Sequence, residues 1–202
     1  PQVPGGILEP VHEVVGTSFE QVTGAFAAGG DLDGDGFGDF VLARNSPTRV
    51  LAYSGTDGGE LWTVILPGTN PSVTEYSLCM VQDVDGDGRC EVAIGDPNQA
   101  AVHLHAGADG SLLWSMGDAA LGGLGWSVDS GGDVDGDGIP DILVHSLWAP
   151  HPVGFGQGAC AILSGRDGAI SRILYLNIPY TTSTAGRKIA SAGDVDADGH
   201  DD

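Results

Sequence analysis

One nine-residue pattern recurs four times along this chain and constrains everything around it. Asp31-Leu-Asp-Gly-Asp-Gly-Phe-Gly-Asp39 reappears from Asp83, Asp133 and Asp194, with first aspartates 52, 50 and 61 residues apart. Self-similarity at this period is the signature of a repeat architecture, in which no unit buries its core alone and neighbours stack. A second pattern keeps step with the first: Ser54-Gly-Thr-Asp-Gly58, Ala106-Gly-Ala-Asp-Gly110 and Ser164-Gly-Arg-Asp-Gly168. Its aspartate falls 26, 26 and 34 residues after the corresponding first aspartate. The longer third interval places an insertion between Ser146 and Gln157.

Short apolar segments fill the space between these marks. One precedes each acidic loop, at Phe26, Leu78, Val128 and Ile189, and another follows it, at 40–42, 92–94 and 142–144. A third runs into the glycine-aspartate-glycine turn, at 50–53, 102–105 and 160–163, and a fourth leaves it, at 61–66, 112–116 and 170–176. Runs of this length, rich in β-branched residues and punctuated by glycine, read as strands. The expected fold is therefore all-β, built of four-stranded antiparallel meanders of the kind that form propeller blades. The units run 25–76, 77–126, 127–187 with the insertion at 146–157, and 188–202 as the start of a fourth. Residues 1–24 form an N-terminal segment able to supply an outer strand of a preceding or closing blade.

The acidic loop reads as a metal site. Carboxylates stand at positions 1, 3, 5 and 9: Asp31, Asp33, Asp35 and Asp39; Asp83, Asp85, Asp87 and Glu91; Asp133, Asp135, Asp137 and Asp141; Asp194, Asp196, Asp198 and Asp202. They converge only if the backbone wraps around a common centre, and glycines at positions 4 and 6 permit that wrap. Position 7, occupied by Phe37, Arg89, Ile139 and His200, offers its backbone carbonyl. A purely oxygen donor set suits Ca2+, one ion per loop and up to four in all; Mg2+ is handicapped by its strict octahedron and tightly held water. An EF-hand starts with the same spacing but needs a glutamate at position 12 and flanking helices, where this chain has Leu42, Ile94 and Val144. An acidic turn without a cation would concentrate like charge at high cost. Ala197, in place of a glycine, is expected to stiffen or weaken the fourth loop.

Charge supports this localisation. The chain has 28 acidic and 7 basic residues, a formal net charge of −21. Sixteen of the acids stand at positions 1, 3, 5 and 9 of the four loops. So acidic a chain repels nucleic acid and anionic membranes, and neither is expected as a partner. No apolar run approaches the length of a membrane span, so no membrane insertion is expected. Cys79, Cys90 and Cys160 are too few and unevenly placed for a disulfide framework; a Cys79–Cys90 bridge is the weaker reading beside buried small apolar side chains.

The loops, with Gly125-Trp-Ser-Val128 before one of them and Asp141-Ile-Leu-Val144 after it, resemble the FG-GAP repeats of integrin α-subunit propellers and related secreted bacterial proteins. The resemblance extends from about Ala25 to the end of the sequence. It implies an extracellular or secreted protein, cell-surface proteins included, in which calcium is structural and adhesion or recognition is the function. Integrin-like propellers usually have seven blades, so about three and a half units read as part of a larger ring, closed by further units or by self-assembly. Because strands alternate, the acidic loops lie on one face and a protein or glycan ligand is expected on the other. That face would carry segments 66–76, 117–125 and 176–187 and the insertion with Trp148, His151 and Phe155.

No catalytic residues are assigned. No Gly-x-Ser-x-Gly elbow, phosphate-binding loop or His-Glu-x-x-His motif occurs. His103 and His105 share a strand face and read as the polar face of a half-exposed strand rather than as a metal pair. Trp62 and Trp114, each five residues after a turn aspartate, resemble a quinoprotein repeat element but read as packing aromatics. The alternative function is a secreted carbohydrate-active enzyme, similar to a polysaccharide lyase, on the same calcium-binding propeller.

Overall fold

The computed structural model describes residues 22–44, 48–66, 76–150, 152, 157–175 and 188–202. Among these every regular element is a strand: β1 (Val22–Ala28), β2 (Phe40–Arg44), β3 (Arg49–Tyr53), β4 (Glu60–Ile65), β5 (Ser77–Val81), β6 (Glu91–Asp96), β7 (Ala101–His105), β8 (Leu112–Gly117), β9 (Leu124–Gly132), β10 (Asp141–Pro150), β11 (Gln157–Leu163) and β12 (Ile170–Tyr175). They form three four-stranded antiparallel sheets in simple sequential order, β1–β4, β5–β8 and β9–β12. The all-β reading and the four-strand unit therefore hold. The inner strands β1 and β9 begin at Val22 and Leu124, ahead of the unit starts expected at 25 and 127. Expectations that fall on 1–21, 67–75, His151, Phe155 or 176–187 lie outside the described residues.

The blades stack face to face because each central strand serves two cores. In β6, Val92 and Ile94 face the first blade, packing with Leu32, Val41, Val50, Ala52 and Trp62. Ala93, between them, faces the third, beside Val102, Leu104, Ile142, Val144 and Ala161. Period-two alternation normally sends one set of side chains to solvent. Here both sets meet apolar neighbours, and all six residues of β6 are buried.

A tryptophan joins each of the outer strands β4 and β8 to the next blade. Trp62 on β4 donates from Nε1 to the Gly107 carbonyl at 2.7 Å, and Trp114 on β8 donates to the Gly165 carbonyl at 2.7 Å. Both acceptors lie in the glycine-aspartate-glycine turn of the following unit. The last glycine of that turn must be bare: a Cβ on Gly110 would lie 2.9 Å from the Trp62 ring, and one on Gly168 would lie 2.7 Å from the Trp114 ring. The packing-aromatic reading of these tryptophans is thus the structural one. On β12 the equivalent position, five residues after Asp167, holds the exposed Arg172.

The insertion lengthens a hairpin. β10 continues to Pro150, where pairing with β11 resumes at Gln157 after a register shift. It carries Trp148 to the end of the blade opposite the acidic loops, 52% exposed and edge-on to Trp126 at 5.7 Å between ring centroids. The three cysteines are free, Cys79 within the core between the second and third blades.

Trp62→Ala is expected to destabilise the chain by about 3–5 kcal/mol, combining a large cavity with an unpaired Gly107 carbonyl. Trp114→Ala, at a less enclosed ring, should cost less. Urea denaturation of the two variants checks the order.

Candidate metal centres

Each acidic loop curls around its first carboxylate. Asp31 accepts the N–H of Gly34 at 2.7 Å through Oδ1 and that of Gly36 at 2.9 Å through Oδ2. Asp83 does the same with Gly86 and Gly88, and Asp133 with Gly136 and Gly138. Asp194 holds the N–H groups of Asp198 and Gly199. The glycines at positions 4 and 6 all have φ between +77° and +86° in the first three loops, as the wrap demands. In the fourth loop Ala197 takes φ +63°, a conformation that costs an L side chain about 1–2 kcal/mol. The stiffening or weakening expected of that residue thus has a visible origin in backbone strain.

The ninth position closes each loop from beneath. Asp39 is buried, and its Oδ2 accepts from Leu32 at 2.7 Å while Oδ1 accepts from Gly55 at 2.9 Å. Glu91, also buried, accepts from Val84 at 2.8 Å through Oε2, but its Oε1 has no hydrogen-bond partner. Burial, then the charges of Asp85, Asp83 and Asp87, push the Glu91 carboxyl up to about 8. Burial and Asp135 raise Asp141 to about 6.

Not every expected ligand converges in the same way. Asp83, Asp85, Asp87 and Glu91 each place an oxygen within 4.8 Å of the others. In the remaining loops the groups are Asp31, Asp33 and Asp39; Asp133, Asp135 and Asp141; and Asp194, Asp196 and Asp202. The fifth-position side chain is drawn elsewhere in two of these. Asp35 accepts from the Thr56 hydroxyl, and Asp137 is paired with Arg166, Nη2 to Oδ2 at 3.0 Å. Thr56 and Arg166 occupy the third place of the second repeat pattern, where the second unit has Ala108. In the sequence these positions are marked only by the change Thr, Ala, Arg within a turn whose Gly-x-Asp-Gly frame is constant.

An orphaned, buried carboxylate oxygen inside a group of four acids is what a hard cation would satisfy, and the donor set fits a divalent ion. Phe37, Arg89, Ile139 and His200 stand at position 7 of their loops. His103 and His105 take no part: the His105 Nδ1 faces the Gly110 carbonyl at 2.8 Å and the His103 Nδ1 faces the Ser115 hydroxyl at 2.9 Å. Burial lowers the pKa of both. His105 is buried rather than part of a half-exposed face, because the 106–110 turn covers it.

Stacked four-stranded meanders carrying an acidic loop on each inner hairpin define a β-propeller-type repeat protein. Residues 83–144 match the FG-GAP-like repeat family. Integrin alpha-3 of Cricetulus griseus is 26% identical over 168 residues, covering 72% of this chain and 16% of the integrin. Integrin alpha-7 of Rattus norvegicus is 28% identical over 158 residues, covering 68% and 14%. Residues 83–144 thus carry an FG-GAP-like repeat, and the chain is similar to integrin α subunits, of whose length it spans about a sixth. Among solved structures, the exotype rhamnogalacturonan lyase YesX aligns with a TM-score of 0.58 at 20% identity, over 90% of this chain and 38% of its own. A rhamnogalacturonan lyase of Bacillus licheniformis aligns at 0.55 and 18%, over 90% and 39%. These two likenesses show the fold.

The raised carboxyls carry a pH signature. A group whose folded pKa lies above its unfolded value stabilises fully below the unfolded value, and that contribution is lost as pH rises through the folded one. In chelator, Glu91 should therefore erode stability between pH 4.5 and about 8, by at most about 1.4 kcal/mol per pH unit. Glu91→Gln should flatten this fall. Urea midpoints in EDTA at pH 5 and pH 8, for both proteins, measure it; an equal or steeper fall in the variant counts against the assignment.

Proposed function

We propose that this chain is part of an extracellular β-propeller whose acidic loops hold Ca2+ as a structural ion, and that it serves adhesion or recognition of a protein or glycan on the opposite face. The observation that carries the reading is the buried, unpartnered Oε1 of Glu91 within a group of four carboxylates. A cation there gives that oxygen a partner and neutralises like charges that the fold forces together. The ligands would be the carboxylates at positions 1, 3, 5 and 9 of each loop with the carbonyl at position 7. In loops 1 and 3, Asp35 and Asp137 would first leave Thr56 and Arg166. Calcium suits this set because its flexible coordination tolerates differences between loops, and millimolar extracellular calcium saturates even weak sites.

The integrin relatives support an extracellular setting, and among the described residues no helix is long and apolar enough to cross a membrane. Units 25–76, 77–126 and 127–187, with a fourth from 188, are read as successive blades, completed to a ring by further units or by self-association. For recognition, the exposed Trp148 rests on Trp126, which also lines a cavity of about 320 Å3 along the inner strands with Tyr76, Ser77, Asp129 and Lys188. Such aromatic and polar groups together are typical of recognition surfaces. A lyase acting on an acidic polysaccharide would need a cationic cleft. The chain has only seven Lys and Arg residues, and Arg166 is paired with Asp137.

Scanning calorimetry with calcium and with EDTA tests the structural ion. Each site held at a hundredfold excess over its Kd should raise Tm by roughly 5–10 °C. An unchanged Tm would falsify the calcium reading. Trp148→Ala, on the far face, is expected to leave the calcium-dependent shift intact.

A further inference from the structure

The acidic loops are laced to one another, but unevenly. The Cys90 N–H donates to the Asp31 carbonyl at 2.9 Å. Asp31 is the hub of loop 1, and Cys90 immediately precedes Glu91, the buried carboxylate of loop 2. A side chain converging on one centre is thus one hydrogen bond and one peptide from a side chain converging on the next. Loops 3 and 4 repeat the link: the Asp201 N–H donates to the Asp133 carbonyl at 3.2 Å, and Asp201 precedes Asp202. There it is doubled, the Asp133 N–H donating to Asp201 Oδ2 at 2.9 Å.

The seventh-position side chains lean the same way. A Cβ built on Gly34 of loop 1 would lie 3.0 Å from Arg89 Nε of loop 2, and one on Gly136 of loop 3 would meet the His200 ring of loop 4. Between loops 2 and 3 both contacts are missing. The linking position is Pro140, which has no N–H to give. Among the described residues no hydrogen bond joins 83–91 to 133–141, and nothing lies within 4 Å of a Cβ on Gly86, the site that Ile139 would cover.

We propose that the cation sites bind in two cooperative pairs, loop 1 with loop 2 and loop 3 with loop 4, separated by a break at Pro140. The proposal rests on the structural-calcium reading and adds the coupling between sites. A cation in loop 1 draws in the ligands around Asp31 and so fixes the carbonyl that orients the Cys90 amide, which in turn sets the backbone from which Glu91 projects. Ordering one loop lowers the cost of ordering the other, and the effect is reciprocal. Relief of charge repulsion between neighbouring loops adds to it at every junction, screened over about 8 Å at physiological salt. The backbone link acts only at the two junctions that have it, so these two must be the stronger.

Calcium titration of the full chain, read on the amide resonances of Gly36, Gly88 and Gly138, resolves the sites one by one. Asp33→Asn keeps the side-chain acceptor that holds its own loop but weakens the ion; it should lower the calcium affinity reported at Gly88 about fivefold or more. Asp85→Asn should lower that at Gly36 by a similar factor and leave Gly138 within about twofold. Cys90→Pro, which removes the linking N–H, should uncouple loops 1 and 2, whereas Cys90→Ala, which keeps it, should not. Calcium binding with equal coupling at the 1–2 and 2–3 junctions, or with none, overturns the proposal and leaves the calcium reading standing. No response to calcium at any glycine overturns both.

Discussion

Repulsion among carboxylates held a few ångströms apart governs how this chain is built. Each loop fixes a first aspartate with backbone N–H groups, closes over a ninth-position acid that is buried in the first three loops, and so brings like charges together in a turn too short to separate them. The backbone donors offset part of the repulsion: both oxygens of Asp39 are satisfied by N–H groups. Where donors run short the strain is visible, in the unpaired Oε1 of Glu91 and its raised carboxyl. The hairpin that carries each loop also forms the inner edge of a blade. Electrostatics at the loop therefore bears on the register of the sheet behind it.

The second repeat pattern answers the same constraint from the other hairpin of the blade. Its turn lies against the acidic loop, giving the Gly55 N–H to Asp39 and, through Thr56 or Arg166, a partner to the fifth-position carboxylate. In the second unit Ala108 supplies nothing, and there all four carboxylates draw together. One turn position thus sets how far each site is assembled in advance. The same turn receives the tryptophan of the preceding blade, so the acid-bearing hairpin, the glycine turn and the neighbouring outer strand form a continuous contact.

Much of the architecture was legible because two motifs kept a common interval. Their spacing placed the twelve strands of the three blades, while the further strand expected at Ile189 does not form. What spacing could not reveal was which residues meet across blades. Trp62 and Trp114 read as packing aromatics, but their carbonyl acceptors, 45 and 51 residues away, follow only from the stacking. Glu91 read as a conservative change from aspartate. Its extra methylene changes where the second oxygen ends, and no local pattern predicts that the place is buried and without a donor. His105 was misjudged for a similar reason, since strand alternation says nothing about a turn folding back over the strand.

The indole links between blades run in one direction only. β4 and β8 each reach forward to a carbonyl of the next unit, and among the described residues no indole reaches back in the same way, so the stack has a direction. A unit in mid-series is satisfied on one side by what it receives and on the other by what it gives. On the third blade Arg172 stands where the indole would be, so the series changes chemistry there from an aromatic plug to a cation. The link is heterologous: the surface that gives the indole differs from the surface that takes it, so such a unit complements its neighbour and not a copy of its own face.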